Sequence, residues 1–468
     1  MAGVALPLRA PLSAARAAAL LLLVATAGGP DVLRAQVTDA SRIATFERFR
    51  AALDAGRLPE AEVHAQALVT ETEEQYGREG RELVNPLSNL GTVAFRRGDY
   101  PAAEAAYQRA LALIEGRIPG ADRMLIRPLV GLGETLLVTD RPAEAAIALK
   151  RALDLSRNLD GLFNVEQLDI IDPLIEAYAA LDRLEDAEKE HQYAFRVAES
   201  SFGRSDLRML DPLDRLARWY EFVGRYTTAR GLHARALQLA DNASGSGSVE
   251  GVPGLRGLAR TYYLEAIYGP EEAETATGDP FSTGPGNMFV PPPAQEGRLN
   301  PDGERALRIA LEALTGATPV DRRARGETLI ELADWYLIAG ATGRAQAAYR
   351  EGWMDLTAAG AGAVDVLRVP RRLAYRAPPT SIARLRPEDP ENFEERLVEL
   401  RFTVDVDGKV TDMTTASSEV APGLERSVQF ALRRARYAPR LEDGIPVETR
   451  DVTLRERLLV RTPTEQRE

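Results

Sequence analysis

One spacing constrains this chain more than any single motif. The turn residues Gly56, Gly98, Asp140, Asp182 and Gly224 follow one another at intervals of 42. Five positions after each stands a small residue, Ala61, Ala103, Ala145, Ala187 and Ala229. A second alanine series runs Ala110, Ala152, Ala194 and Ala236, and Leu90, Leu132, Leu174 and Leu216 stand eight positions before the turns. Between the turns, apolar or small residues recur at helical spacing. Each period therefore reads as two amphipathic helices joined by a break marked with Gly or Asp. An isolated helical pair leaves its apolar face in water, and stacked neighbours bury it.

The register continues past the fifth turn. "LARWY" at 216–220 recurs as "LARTY" at 258–262, and "LADWY" follows at 332–336, 74 positions later instead of 42. The excess lies in "GDPFSTGPGNMFVPPPAQEGRLNPDG", residues 278–303, whose Gly and Pro content rules out a regular helix. The spacing predicts a loop between the two helices of the sixth unit, with "GERALRIALEAL" as the second helix. Seven units cover 42–359, the first degenerate as an end cap is. Leu90-Gly91, Ala103, Tyr107 and Ala110 in one unit, and Leu216, Tyr220, Ala229 and Ala236 in another, stand at the consensus sites of the tetratricopeptide repeat, which the pattern resembles. The usual repeat is about 34 residues, so the likeness is to a longer variety.

That resemblance implies a solenoid whose first helices line a concave groove. Asp172, Glu176, Asp214, Arg218, Arg260 and Asp334 then face inward, a run from acidic to basic and back, and form the candidate groove for a protein or peptide partner. His191 and His233 also stand 42 apart, but they occupy the position held by Tyr107, Leu149 and Tyr349 elsewhere. That is a packing site between helices, so they read as core histidines.

Composition narrows the function. There is no cysteine, which excludes disulfides, zinc thiolate sites, iron–sulfur clusters and thiol nucleophiles. Net charge is −12, and the acidity is confined to the residues before Val366, with 39 Lys and Arg against 52 Asp and Glu; the rest has 19 against 18. A nucleic-acid partner needs a basic face, so none is expected. No nucleophile–base pair, phosphate loop or metal-ligand spacing recurs, and the expectation is a non-enzyme without cofactor or metal. At the N-terminus, Arg9 and Arg16 precede the apolar run from Ala17 to Ala27, with small residues before Ala27 and again at Ala35. This reads as a signal peptide over 1–35, cleaved near 27 or 35, on a periplasmic protein. The alternative is an anchor in the inner membrane facing the periplasm, and membrane contact is expected only if that segment is retained.

From Val366 the alphabet changes. Residues 366–392 are rich in Pro and Arg and read as a linker. Then the period falls to two: Val398, Leu400, Phe402 and Val404 alternate with Leu397, Glu399 and Arg401, a strand with one covered face. "DVDG" after it suggests calcium. Aligned on Gly408, however, a calcium loop would need ligands where Thr403 and Thr414 stand. Asp407-Gly408 is read instead as a two-residue hairpin turn, with φ > 0 at both positions. "APGLERSVQFALRRARYAPR" forms a helix, and "VTLRERLLV" a closing strand.

The motifs "RFTVDVDGKVTDM", "ALRRARYAPRLEDGIPV" and "VTLRERLLV" resemble the C-terminal domain of the TonB family, placed at 393–468. The expected fold is an all-α tetratricopeptide-type solenoid followed by a small α+β (β-β-α-β) domain. The resemblance implies contact with an outer-membrane receptor or envelope complex by strand addition. It makes Val447, Thr449, Asp451, Thr453 and Arg455 the candidate pairing edge. The expected function is a periplasmic adaptor that binds protein partners through groove and edge. The alternative is a TonB-type energy transducer or transport component.

Overall fold

The computed structural model describes residues 30–115, 122–269, 299–382 and 392–462. The signal segment up to residue 29, the Gly/Pro insertion over 278–298 and residues 383–391 of the expected linker lie outside the described residues. The chain divides into two compact units between Ser201 and Phe202.

In the first unit, α1 (Pro30–Asp54), α2 (Leu58–Tyr76), α3 (Val84–Arg96), α4 (Tyr100–Ala112), α5 (Ile126–Val138), α6 (Pro142–Asp160), α7 (Leu168–Ala180) and α8 (Leu184–Phe202) pack as successive hairpins. The 42-residue period has a backbone cause. Gly56, Gly98, Asp140 and Asp182 have φ of 71°, 79°, 59° and 56°. They close the first helix of each hairpin in the left-handed conformation, which glycine adopts freely and Asp at little cost. The recurrent alanines at 61, 103, 145 and 187 are fully buried where the helices cross. A second series, Gly161, Gly203 and Gly245, has φ of 81° to 90° and ends the second helices. It repeats with the same period.

The second unit begins with α9 (Leu210–Phe222), α10 (Tyr226–Ser244), α11 (Val252–Tyr268), α12 (Pro301–Gly316), α13 (Arg322–Ile338) and α14 (Thr342–Ala359). Helix α12 packs on α11 as the second helix of the sixth hairpin, in keeping with the 74-residue interval. The strands are β1 (Arg371–Ala374), β2 (Phe393–Val404), β3 (Val410–Ser418), β4 (Arg436–Ala438), β5 (Arg440–Glu442), β6 (Ile445–Val447) and β7 (Thr449–Arg461), with helix α15 (Pro422–Arg433) after β3. The principal sheet is antiparallel in the order β3-β2-β7. Val398, Leu400, Phe402 and Val404 of β2 pack under Val428 and Leu432 of α15. The β-β-α-β order therefore holds for the principal sheet, with two small ribbons, β1/β4 and β5/β6, added.

Two expectations need correction. The stretch from 366 is not a bare linker. Arg371–Ala374 pairs with β4, and Tyr375 and Ala377 enter the C-terminal core. Pro- and Arg-rich composition reads as solvated extended chain, yet a four-residue strand needs only a few hydrogen bonds and two inward side chains to be held. The hairpin exists, but its loop has three residues. Gly408 N donates to Asp405 O at 3.0 Å, Asp405 N donates to Lys409 O at 3.0 Å, and Val404 pairs with Val410. Only Gly408, at φ 73°, is left-handed, which makes this a type I turn closed by a glycine bulge. The Asp405 carboxylate accepts from the backbone N–H groups of Asp407 and Lys409, so its oxygen is spent on the turn.

The repeats and the C-terminal domain share a core within the second unit. Ala438 and Leu441 pack in the same cluster as Leu332, Trp335 and Leu337. A Cβ on Gly408 would lie 2.0 Å from Tyr437 O and 3.1 Å from Leu337. The "DVDG" turn is thus wedged between β4 and the last repeat.

Candidate partner-binding edge and groove

The inner-face charges of the second unit turn out to be paired. Arg218 Nε donates to Asp214 Oδ2 at 2.6 Å. Arg260 Nε donates to Glu221 Oε2 at 2.7 Å, and its Nη2 lies 4.0 Å from Asp214. Glu221 is buried and also accepts from His233 Nε2 at 2.8 Å. Burial pushes its carboxyl up, but His233 and Arg260 outweigh burial and hold it below the ordinary range. Arg256 joins α11 to α13 through Glu331, at 2.7 and 3.0 Å. The acidic-to-basic run that marks a partner groove in the sequence is here largely a ladder of ion pairs from one first helix to the next. His233 is a core residue, as its repeat position suggests: a Cβ on Gly257 would lie 2.2 Å from its ring.

Asp334 is buried beneath the chain's own segment. Arg371 Nη2 lies 3.0 Å from both carboxylate oxygens, and Tyr349 OH donates to Oδ1 at 2.6 Å. Tyr263 OH donates to the carbonyl of Leu373 at 2.9 Å. Burial pushes Asp334 up, with Arg371 and Tyr349 opposing it, and burial pushes the phenols of Tyr263 and Tyr349 up as well. Residues 371–373 therefore occupy the inner face of α11 and α13. In the first unit, Asp172 and Glu176 are exposed on α7.

The edge of β7 is built by alternation. Ile382 N donates to Arg457 O at 3.0 Å, and Leu459 N donates to Thr380 O at 2.8 Å, so the peptide groups of 457 and 459 point away from β2. In an antiparallel strand, every second residue shares that direction. Thr453 and Arg455 therefore present outward N–H and C=O groups, which have no backbone partner among the described residues. Leu454, Glu456 and Leu458 face β2 with their backbones and the core with their side chains. Glu456 holds the 380–382 segment in place: Tyr375 OH donates to Oε2 at 2.7 Å, and Ser381 Oγ donates to Oε1.

The five expected edge residues separate. Thr453 and Arg455 lie on the open edge. Asp451 sits in a bulge at φ 57°. The bulge adds one residue and reverses the alternation, so Thr449 pairs with Val404 and its backbone faces inward. Val447 belongs to the β5/β6 ribbon, opposite Arg440. The other edge of the sheet, β3, is broken by two register shifts, with Asp412 at φ 48°. Such irregularities turn an edge away from pairing. From Val452 to Arg461, β7 is regular.

Residues 50–116 and 83–158 match the family model of the tetratricopeptide repeat, and residues 394–454 match that of the Gram-negative bacterial TonB protein C-terminal. No curated protein matches the chain. Among solved structures, BtubC from P. vanneervenii is similar at 19% identity, covering 47% of this chain and 84% of that one, with a TM-score of 0.35. The apo form of RapI is similar at 13% identity over 67% and 97% (TM-score 0.37). A tetratricopeptide repeat protein from Parabacteroides merdae is similar at 15% over 68% and 92% (TM-score 0.37).

Proposed function

We propose that this chain, which joins tetratricopeptide repeats to a TonB-type C-terminal domain, is an exported adaptor of the Gram-negative envelope. It captures an extended protein segment by adding it as a strand to β7. The observation that carries this reading is the outward pair Thr453 and Arg455 on an edge whose continuation the chain's own residues 380–382 already occupy. An edge that accepts one extended segment offers the same backbone geometry to the next. The match to the TonB-type domain supports an outer-membrane receptor or envelope complex as the partner class. The apolar run at 17–27 and the absence of cysteine support export to the periplasm. Among the described residues, no helix is long and apolar enough to cross a membrane. The exposed inner face around Asp172 and Glu176 in the first unit is a second contact surface, since the inner face at Asp334 is already filled.

Proline substitution tests the edge without breaking the sheet. Thr453→Pro or Arg455→Pro removes an outward N–H and leaves the β2 ladder intact, a placement that edge strands tolerate. Leu454→Pro breaks the ladder and serves as the misfolding control. Full-length protein and variants are used to capture proteins from a Gram-negative envelope extract, with the recovered proteins identified by mass spectrometry. The reading expects a defined set of envelope proteins to be lost from both edge variants at unchanged melting temperature. Identical capture by wild type and both variants would refute it.

A further inference from the structure

We infer that the second unit carries another docking site, for an acidic peptide segment of a protein partner with an apolar side chain among its carboxylates. The site is a cleft of about 1330 Å³ between the end of α11, residues 374–379 and the outer face of α15. Arg376, Arg426, Arg433, Arg434 and Arg436 line it, and among the described residues no Asp or Glu does. Among the described residues, none of these five arginines has a carboxylate partner. That sets them apart from Arg218, Arg256, Arg260 and Arg371 in the same unit, each of which is paired. Five guanidinium groups that have no ion-pair partner among the described residues repel one another, and an anionic ligand removes that repulsion while gaining bidentate hydrogen bonds.

The cleft also has an apolar floor. Phe430 is 58% exposed between the arginines, with Arg434 stacked 5.6 Å over its ring, and Tyr268 stands 41% exposed on the opposite wall. Pro378 and Pro379 fix the third side. Arg426, Phe430 and Arg433 recur at spacings of 4 and 3 on α15, one stripe opposite the buried Val428 and Leu432. The volume exceeds the ~300–1,000 Å³ typical of small-molecule pockets. The charges are spread over three segments, which suits a chain of several residues rather than a single small anion. This site is separate from the β7 edge and does not depend on it.

Fluorescence anisotropy with the full chain tests the inference, using fluorescein-labelled Glu-Glu-Phe-Glu-Glu as probe and Lys-Lys-Phe-Lys-Lys as its counterpart. The inference expects saturable binding of the acidic probe that weakens with salt. It expects at least tenfold weaker binding in the triple variant Arg426→Glu/Arg433→Glu/Arg434→Glu and several-fold weaker binding in Phe430→Ala. Arg450→Glu, an exposed reversal elsewhere in the domain, should leave binding within twofold. All five substituted side chains are exposed, on α15, at its C-terminal cap or on β7, and circular dichroism verifies folding. Equal binding of the basic probe, an equal loss in Arg450→Glu, or no loss in the triple variant would overturn it. So would binding only to phosphatidylglycerol vesicles, or binding only after residues 271–279, the chain's own acidic run, are deleted.

Discussion

Arg371 lies across Asp334 with one guanidinium nitrogen 3.0 Å from each carboxylate oxygen. This contact ties β1, the first strand after the repeats, to the inner face of the last first-position helix. The inner face that a partner would occupy in a free solenoid is here covered by the segment leading to the C-terminal domain. Removing Arg371 leaves a carboxylate in a dry site. We expect Arg371→Ala to cost about 2–3 kcal/mol in urea unfolding, below the fully buried case because Arg371 is partly exposed. The pH dependence gives a second check. A carboxyl raised in the folded state favours folding as pH falls from above its folded value to below its unfolded one. Losing Arg371 raises Asp334 further, so the variant should regain part of its deficit on acidification. A deficit independent of pH would separate Arg371 from Asp334.

Glu221 titrates in the opposite sense. His233 and Arg260 hold its carboxyl below its ordinary 4.5. A lowered folded value means that the native state binds fewer protons. Its stabilisation is then full above the unfolded value and lost as pH falls through the folded one. Glu221→Gln should flatten the acid limb of the stability profile below about pH 4.5. An unchanged acid limb would remove this contact from the account.

Gly408 answers to two constraints at once, since its φ is 73° and a Cβ would overlap Tyr437 O. Gly408→Ala should destabilise by roughly 3 kcal/mol or more. Gly98, at φ 79° with nothing within 4 Å of a Cβ, supplies the comparison: Gly98→Ala should cost only about 1–2 kcal/mol. Equal losses in the two variants would mean that the turn is not wedged against β4.

Legibility in the sequence followed locality. The 42-residue period was readable because each left-handed turn admits only Gly or Asp, and each helix crossing only a small residue. The covered face of β2 was readable because alternation needs no partner to be seen. The pairing of Arg371 with Asp334 was not, since 37 positions separate them and no periodicity links a strand to a helix. Arg230, fully buried against Glu265 at 2.5 Å, was hidden because the two stand 35 positions apart on different helices. The "DG" dipeptide announced a hairpin but not its loop length, which the Asp405 carboxylate decides by accepting two backbone N–H groups. On β7, one bulge residue reversed which edge residues face outward, and no composition signal marks it.

The strap along β7 depends on two hydroxyls. Tyr375 and Ser381 both donate to the buried Glu456. The double variant Tyr375→Phe/Ser381→Ala leaves that carboxylate without either bond and should cost about 2–4 kcal/mol. It should also speed amide hydrogen exchange at Ile382 and Leu459, which bond across the strap. Stability loss with both amides still protected would show that the strap is held by other contacts.

Amide hydrogen exchange at single-residue resolution on the full chain, free and then bound to an envelope protein it captures, tests strand addition at β7 most directly. In the free protein, Thr453 and Arg455 should exchange fast between the slow amides of Leu454 and Glu456. In the complex, both should become protected by at least tenfold. Thr453 and Arg455 remaining fast in the complex, with protection confined to the helical repeats, would contradict the account.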